Sequence, residues 1–272
     1  VSTFLPAFYY LHIFCYIPDA LLLLLYLYAF LIGICITSFL NVVIWRLPQG
    51  LSFVKGRSYC PSCHHKLQWY DLFPVFSYLF LKGKCRYCGN KISARETVLE
   101  FLGGCIGMFC FYTYGFSWDT VLVFAVFMIL FTITMIDFDT MTIPNGLIIS
   151  LIVPVGIFTV LHPETALMTR AIGFFIVSLP MYLLTLLIPD CFGGGDIKLI
   201  AVAGFLLGWK LTLLAFFISV LIGGSYAVYL LLSRKTQKGA HIAFGPYLCA
   251  GIMISLLYGE TLIQGYLSLF GL

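Results

Sequence analysis

Residues 120–145 read TVLVFAVFMILFTITMIDFDTMTIPN: no charge appears from Thr120 to Ile136, and then the chain meets Asp137. An apolar run of this kind approaches the roughly 18 residues that cross a bilayer core of about 30 Å, so it reads as a membrane span closed by a carboxyl group. The stretch FGGGDIKL (192–199) repeats the arrangement in mirror image, with Asp196 opening an apolar run. An ionisable side chain at membrane depth is costly and marks function by default.

Composition extends the membrane reading to the whole chain. Of 272 residues, 61% are hydrophobic and only 10% charged, against roughly 25% charged in an ordinary globular domain. The expectation is an all-α polytopic membrane protein with about eight transmembrane helices, over 20–44, 97–114, 120–136, 147–161, 171–188, 197–208, 211–232 and 243–258. Lys and Arg concentrate in cytoplasmic loops. Nine of the fifteen lie between Arg46 and Arg95; Lys198, Arg234, Lys235 and Lys238 fall on the same side if there are eight spans. Only Arg170 and Lys210 fall opposite. Both termini are therefore expected outside, with Asp137 and Asp196 at the cytoplasmic face. Topology accounts for most of the net charge of +4, with attraction to anionic membrane lipid as a lesser contribution, and no nucleic-acid partner is needed. No secretory signal peptide is expected, because no basic leading region or small-residue cleavage site precedes the first span. Residues 3–16, aromatic-rich and set off by Pro18 and Asp19, read either as an interfacial segment or as an extension of that span.

One region departs from this pattern. Residues 45–96 are polar, basic and punctuated by Cys60-x-x-Cys63 and Cys85-x-x-Cys88, with 21 residues between the pairs. That is close to four-cysteine zinc spacing, and four thiolates make a closed, structural site. A domain of about fifty residues is too small for a substantial core, so a metal staple makes physical sense. Metal-free thiols and a redox pair are the lesser alternatives. The chain thus divides into an N-terminal segment with the first helix (1–44), a small cytoplasmic zinc domain (45–96) and a transmembrane domain (97–272).

Two carboxyls entering from different segments read as a pair that shares a proton and activates water, the chemistry of an intramembrane aspartic protease. Helix-start N–H groups and the adjacent Lys198 offer positive potential at Asp196, whereas Asp137 lies at the negative end of its own helix dipole. The assignment of acid and base belongs to the pair. Gly193, Gly194 and Gly195 would let the backbone approach a second segment closely and adopt conformations closed to residues with a side chain, so that a substrate strand could lie against them. Asp139 is the rival to Asp137, but on a helix the two point to different faces. Pro144-Asn145 reads as a turn into the next span.

The stretch SFLNVVIWRLP (38–48), the four cysteines and LQWYDLFPVFSYLFLKGKCRYCGNKISAR (67–95) closely resemble the N-terminal domain of bacterial type IV prepilin peptidases. IDFDTMTIPN, GGGDIKL and FGPYL (136–145, 193–199, 244–248) resemble the family's GxGD aspartic peptidase domain. The resemblance places the catalytic aspartates on Asp137 and Asp196, and metal-binding cysteines on Cys60, Cys63, Cys85 and Cys88. It implies an inner-membrane enzyme that removes the basic leader of prepilins or pseudopilins on the cytoplasmic side. Many members also methylate the new N-terminus with S-adenosylmethionine. Two departures stand out: His64 replaces the Gly that usually follows the first cysteine pair, and Glu96-Thr97 replaces a Tyr-Pro before Glu100. The first bears on the metal turn, the second on methylation. A proton- or cation-coupled transporter would use the same aspartates but predicts repeat symmetry between halves. A non-enzymatic assembly factor docking through its zinc domain is the third reading.

Overall fold

The structure is a computed structural model that describes residues 18–188, 191–233 and 242–271. The segment 3–16 and the charges Arg234, Lys235 and Lys238 lie outside the described residues. Among the described residues the chain is helical with no sheet; two isolated β-bridges lie in the cysteine region. It forms two compact units that meet in sequence at Phe124 and Ala125.

The first unit holds α1 (Asp19–Arg46), a loop region with one short helix α2 (Phe76–Phe80), α3 (Arg95–Tyr114) and the start of α4 (Trp118–Thr140). Small residues bring α1 and α3 together. A Cβ on Gly103 would collide with the Thr37 side chain, and one on Gly107 would lie 2.6 Å from the Ala29 carbonyl oxygen. Backbones this close gain van der Waals contact where lipid supplies no hydrophobic drive. The second unit holds the rest of α4, then α5 (Asn145–Leu161), α6 (Leu167–Ile176), α7 (Ser178–Leu187), α8 (Gly194–Leu232) and α9 (Gly245–Leu269). Pro180 has no N–H to give the Ile176 carbonyl, which accounts for the break between α6 and α7 at Val177.

Six of the described helices are long and apolar enough to cross a membrane, counting α6 and α7 as one, and α5 is shorter at 17 residues. The eight apolar runs nevertheless all have helical counterparts, because α8 is two limbs. Its 39 residues would extend about 58 Å if straight, nearly twice a bilayer core. At Gly208 the backbone turns to φ 74°, ψ 169°, a conformation that glycine adopts without steric cost. The Thr212 hydroxyl then donates to the Gly208 carbonyl at 2.6 Å and lies 3.5 Å from that of Gly204. In one continuous helix residues 204 and 212 would stand about 12 Å apart.

The break frees carbonyls at the end of the first limb, and Arg170 of α6 takes them. Its guanidinium, 1% exposed as a residue, donates to Leu206 O at 3.3 Å, Phe205 O at 3.5 Å and His162 O at 3.1 Å. A cation at a helix C-terminus satisfies orphan acceptors and complements the dipole. Arg170, an exception to the charge bias, therefore has a local reason for its position.

Candidate active site and metal centre

Asp137 lies one turn before the end of α4 and is 5% exposed, whereas Asp139 is exposed. The helix turns Asp137 inward, toward the start of α9, where Pro246 lacks an N–H and Gly245 supplies one. The Gly245 N–H donates to Asp137 Oδ2 at 3.1 Å across 108 positions of sequence. A Cβ at Gly245 would come 2.6 Å from that oxygen, so only glycine leaves room for the contact.

Asp196 is the third residue of α8, after the N-cap Gly193, and is 8% exposed. Its carboxylate turns back toward the Gly193 backbone, as an acidic third residue often does. Oδ1 is buried with no hydrogen-bond partner among the described residues. The two aspartates are within electrostatic reach of each other. A buried acceptor without a donor costs on the order of 1–3 kcal/mol and calls for a functional reason.

Two expectations about this motif change. Lys198 does not face Asp196; its Nζ donates to Asn145 Oδ1 at 2.9 Å. None of Gly193, Gly194 and Gly195 adopts a positive φ. Space sets their identity instead: a Cβ on Gly195 would press on Ile143, one on Gly193 on Asp196 itself, and only Gly194 faces open room. Gly245 and Ile143 lie inside quoted motifs without being singled out by sequence, and Asn145 is legible there only as part of a turn.

In the cysteine region two short chain reversals repeat each other. Cys60 N–H donates to His65 O at 3.0 Å and His64 N–H to Cys60 O at 2.9 Å; Cys85 N–H donates to Asn90 O at 2.8 Å and Gly89 N–H to Cys85 O at 2.9 Å. The repeat demands a left-handed residue at the same place in each, supplied by His64 at φ 56° and Gly89 at φ 72°. The His64 departure thus keeps the metal turn. It carries a backbone cost of about 1–2 kcal/mol that glycine lacks. His64→Gly is expected to slow metal release to a chelator and His64→Val to hasten it. Faster release from the glycine variant would mean that the stacking of His64 on Tyr59, 6.0 Å between centroids, matters more.

All four thiol sulfurs lie within 4.8 Å of one another, and the Sγ atoms of Cys60 and Cys88 are 3.9 Å apart. A tetrahedron of sulfurs at about 2.3 Å from zinc has edges of about 3.8 Å, so the cluster fits. Backbone N–H groups of Cys63 and Ser62 lower the Cys60 thiol to about 6. Asp71, on the segment between the reversals, is bound to the second of them. Burial opposes its charge, yet Arg86 Nε at 2.7 Å, the Gln68 N–H at 3.2 Å and the Tyr87 hydroxyl at 3.1 Å hold its carboxyl below the usual range. That stabilisation is present above the unfolded-state value and is lost only as pH falls through the lowered one. The His65 ring also packs on Tyr87 of the second reversal, at 3.7 Å between centroids.

Comparison with known proteins matches these two regions separately. The bacterial peptidase A24 N-terminal domain matches residues 31–114 and the type IV leader peptidase family matches residues 122–228. A Bacillus subtilis (strain 168) protein named prepilin leader peptidase/N-methyltransferase is 32% identical, over 88% of this chain and 97% of its own length. This chain belongs to the type IV leader peptidase family. Two further type IV leader peptidase relatives carry the same name. The one from Aeromonas salmonicida (strain A449) is 31% identical over 88% of this chain and 92% of its own. The one from Pseudomonas aeruginosa is 29% identical over 89% and 93%. No solved structure matches the chain. The leader-peptidase match contains Asp137 and Asp196 but ends before Gly245, the donor to Asp137.

Proposed function

We propose that this chain is an intramembrane aspartic endopeptidase that removes the basic leader of type IV prepilins or pseudopilins. It then methylates the new N-terminus, with S-adenosylmethionine as co-substrate. The observation that carries the peptidase reading is the pair itself: two buried carboxyls from separate helices, one with an oxygen that no donor among the described residues satisfies. Family membership selects leader cleavage over a transporter or an assembly factor.

In this reading Asp137 and Asp196 share one proton. The ionised carboxylate takes a proton from water as its oxygen attacks the scissile carbonyl carbon, and the protonated partner gives its proton to the carbonyl oxygen. The C–N bond then breaks as the leaving nitrogen receives a proton. The Gly245 N–H fixes the orientation of Asp137 throughout, and the unpartnered Oδ1 of Asp196 is where water or the carbonyl would be received. Gly193, Gly194, Gly195 and Lys198 border the approach to Asp196, and Lys198 restrains the neighbouring turn through Asn145. The leader's basic residues would stay in the cytoplasm while its apolar helix enters the bilayer, presenting the bond after the leader's final Gly at the depth of Asp196.

Cys60, Cys63, Cys85 and Cys88 hold one zinc ion in this reading, in a domain over 45–96 that separates the first helix (1–44) from the peptidase domain (97–272). A zinc ion there would cross-link the two reversals and leave no open position for chemistry. The enzyme resides in the bacterial inner membrane with the zinc domain and both aspartates toward the cytoplasm, as the nine charges from Arg46 to Arg95 indicate. A membrane-impermeant maleimide should label Arg57→Cys in inverted vesicles only. Labelling in right-side-out vesicles would reverse the topology. Function is tested by incubating the purified protein with a prepilin: two products split after the leader's final Gly are expected, and an intact prepilin would sink the reading.

A further inference from the structure

Between α4 and α5 the chain has only residues 141–144 in which to leave the helix that carries Asp137 and turn back. Met141 takes φ 53° as the turn begins, and its N–H is retained by the Asp137 carbonyl at 2.9 Å. Ile143, two residues on, is half-buried and lies against glycines of two other segments. A Cβ on Gly195 would stand 2.7 Å from Ile143 Cβ, and one on Gly245 would stand 3.2 Å from Ile143 Cδ1. Gly195 directly precedes Asp196, and Gly245 is the donor to Asp137. Two glycines from distant parts of the chain thus give way to one side chain. Asn145 closes the arrangement, since its hydrogen bond to Lys198 pins the end of the turn to the first limb of α8.

We propose that Ile143 is the spacer that sets the separation of the two carboxyls: a positioning residue wedged between the segments that bear them, with the Asn145–Lys198 bond as its clasp. The inference rests on the aspartate-pair reading above. A close-packed site has few soft directions, so a change in volume at the wedge becomes a displacement of the glycine backbones. Those backbones lead directly to Asp196 and to the N–H that orients Asp137. Displacement by about 1 Å costs on the order of 10²-fold in a reaction that depends on aligned groups.

The test is a volume series in the full-length protein, Ile143→Val, Ile143→Ala and Ile143→Phe, with Asp196→Asn as control. Prepilin cleavage is measured across pH, and rates are normalised to folded protein. A graded fall in kcat is expected, small for Val and on the order of 10²-fold for Ala and Phe, with KM unchanged. The pH–rate profile should change as well, because the two apparent values of a shared-proton pair depend on its separation. The other titratable groups near the pair, Asp139, Lys198 and Cys249, remain in place in every variant. A fall in kcat with an unchanged pH profile would reduce Ile143 to packing and overturn the spacer. So would wild-type kinetics in the Val and Ala variants while Asp196→Asn is dead. Cleavage by Asp196→Asn itself would instead remove the aspartate-pair reading, and the spacer with it.

Discussion

Asp137→Asn and Asp196→Asn are each expected to lower leader cleavage by at least about 10³-fold while leaving the helices folded. The amide preserves shape but cannot exchange a proton, so the pair loses either its base or its acid. Effects within such a unit do not add, and the double variant should be scarcely worse than either single one. Asp139→Asn should keep substantial activity, because its side chain is exposed where that of Asp137 is buried. Cleavage is read by mass from the released leader, and folding by circular dichroism and gel filtration in the same detergent. Near wild-type processing by Asp196→Asn would end the aspartic-protease assignment.

Cys60→Ser is expected to bring the zinc content of the purified protein from one equivalent to near zero. The expectation rests on the free energy at stake: structural zinc sites contribute apparent values of about 10–16 kcal/mol, and a serine hydroxyl does not replace a thiolate in a closed four-ligand site. Cys60 is the ligand to choose, since it is buried and lies 3.9 Å from Cys88 across the two reversals. Loss of metal should expose the region between the cysteine pairs to protease. The aspartate pair, built from other helices, should retain intrinsic peptidase chemistry in the fraction that stays folded. Elemental analysis of wild-type protein comes first; less than about half an equivalent of zinc in an active sample would count against the site.

How much of this was legible depended on the range of the interaction. Hydropathy located all eight apolar runs, including the boundary near Gly208, because burial in lipid is a local property of sequence. The cysteine cluster was legible for a similar reason, as Cys-x-x-Cys can bring two sulfurs together within one reversal. Partners were harder to read. Lys198 was placed beside Asp196 on sequence adjacency, yet two residues along a helix point to different faces, and the structure gives it Asn145. The glycines before Asp196 suggested unusual backbone angles, whereas the structure uses them to admit Ile143 and Asp196 itself. Gly245 reaches Asp137 across 108 residues, and no local rule connects them.

The broken helix α8 has a mechanical consequence. Its first limb is a strut about 15 Å long between Asp196 and Leu206, and Arg170 grips the Leu206 end through backbone carbonyls alone. Gripping main chain instead of side chains fixes where the strut sits along its own axis and is indifferent to the residues it is made of. The depth of the carboxyl at its tip is therefore set by main-chain geometry, while the side chains between the two ends, with Gly204 close against Gly173, serve only the lateral packing.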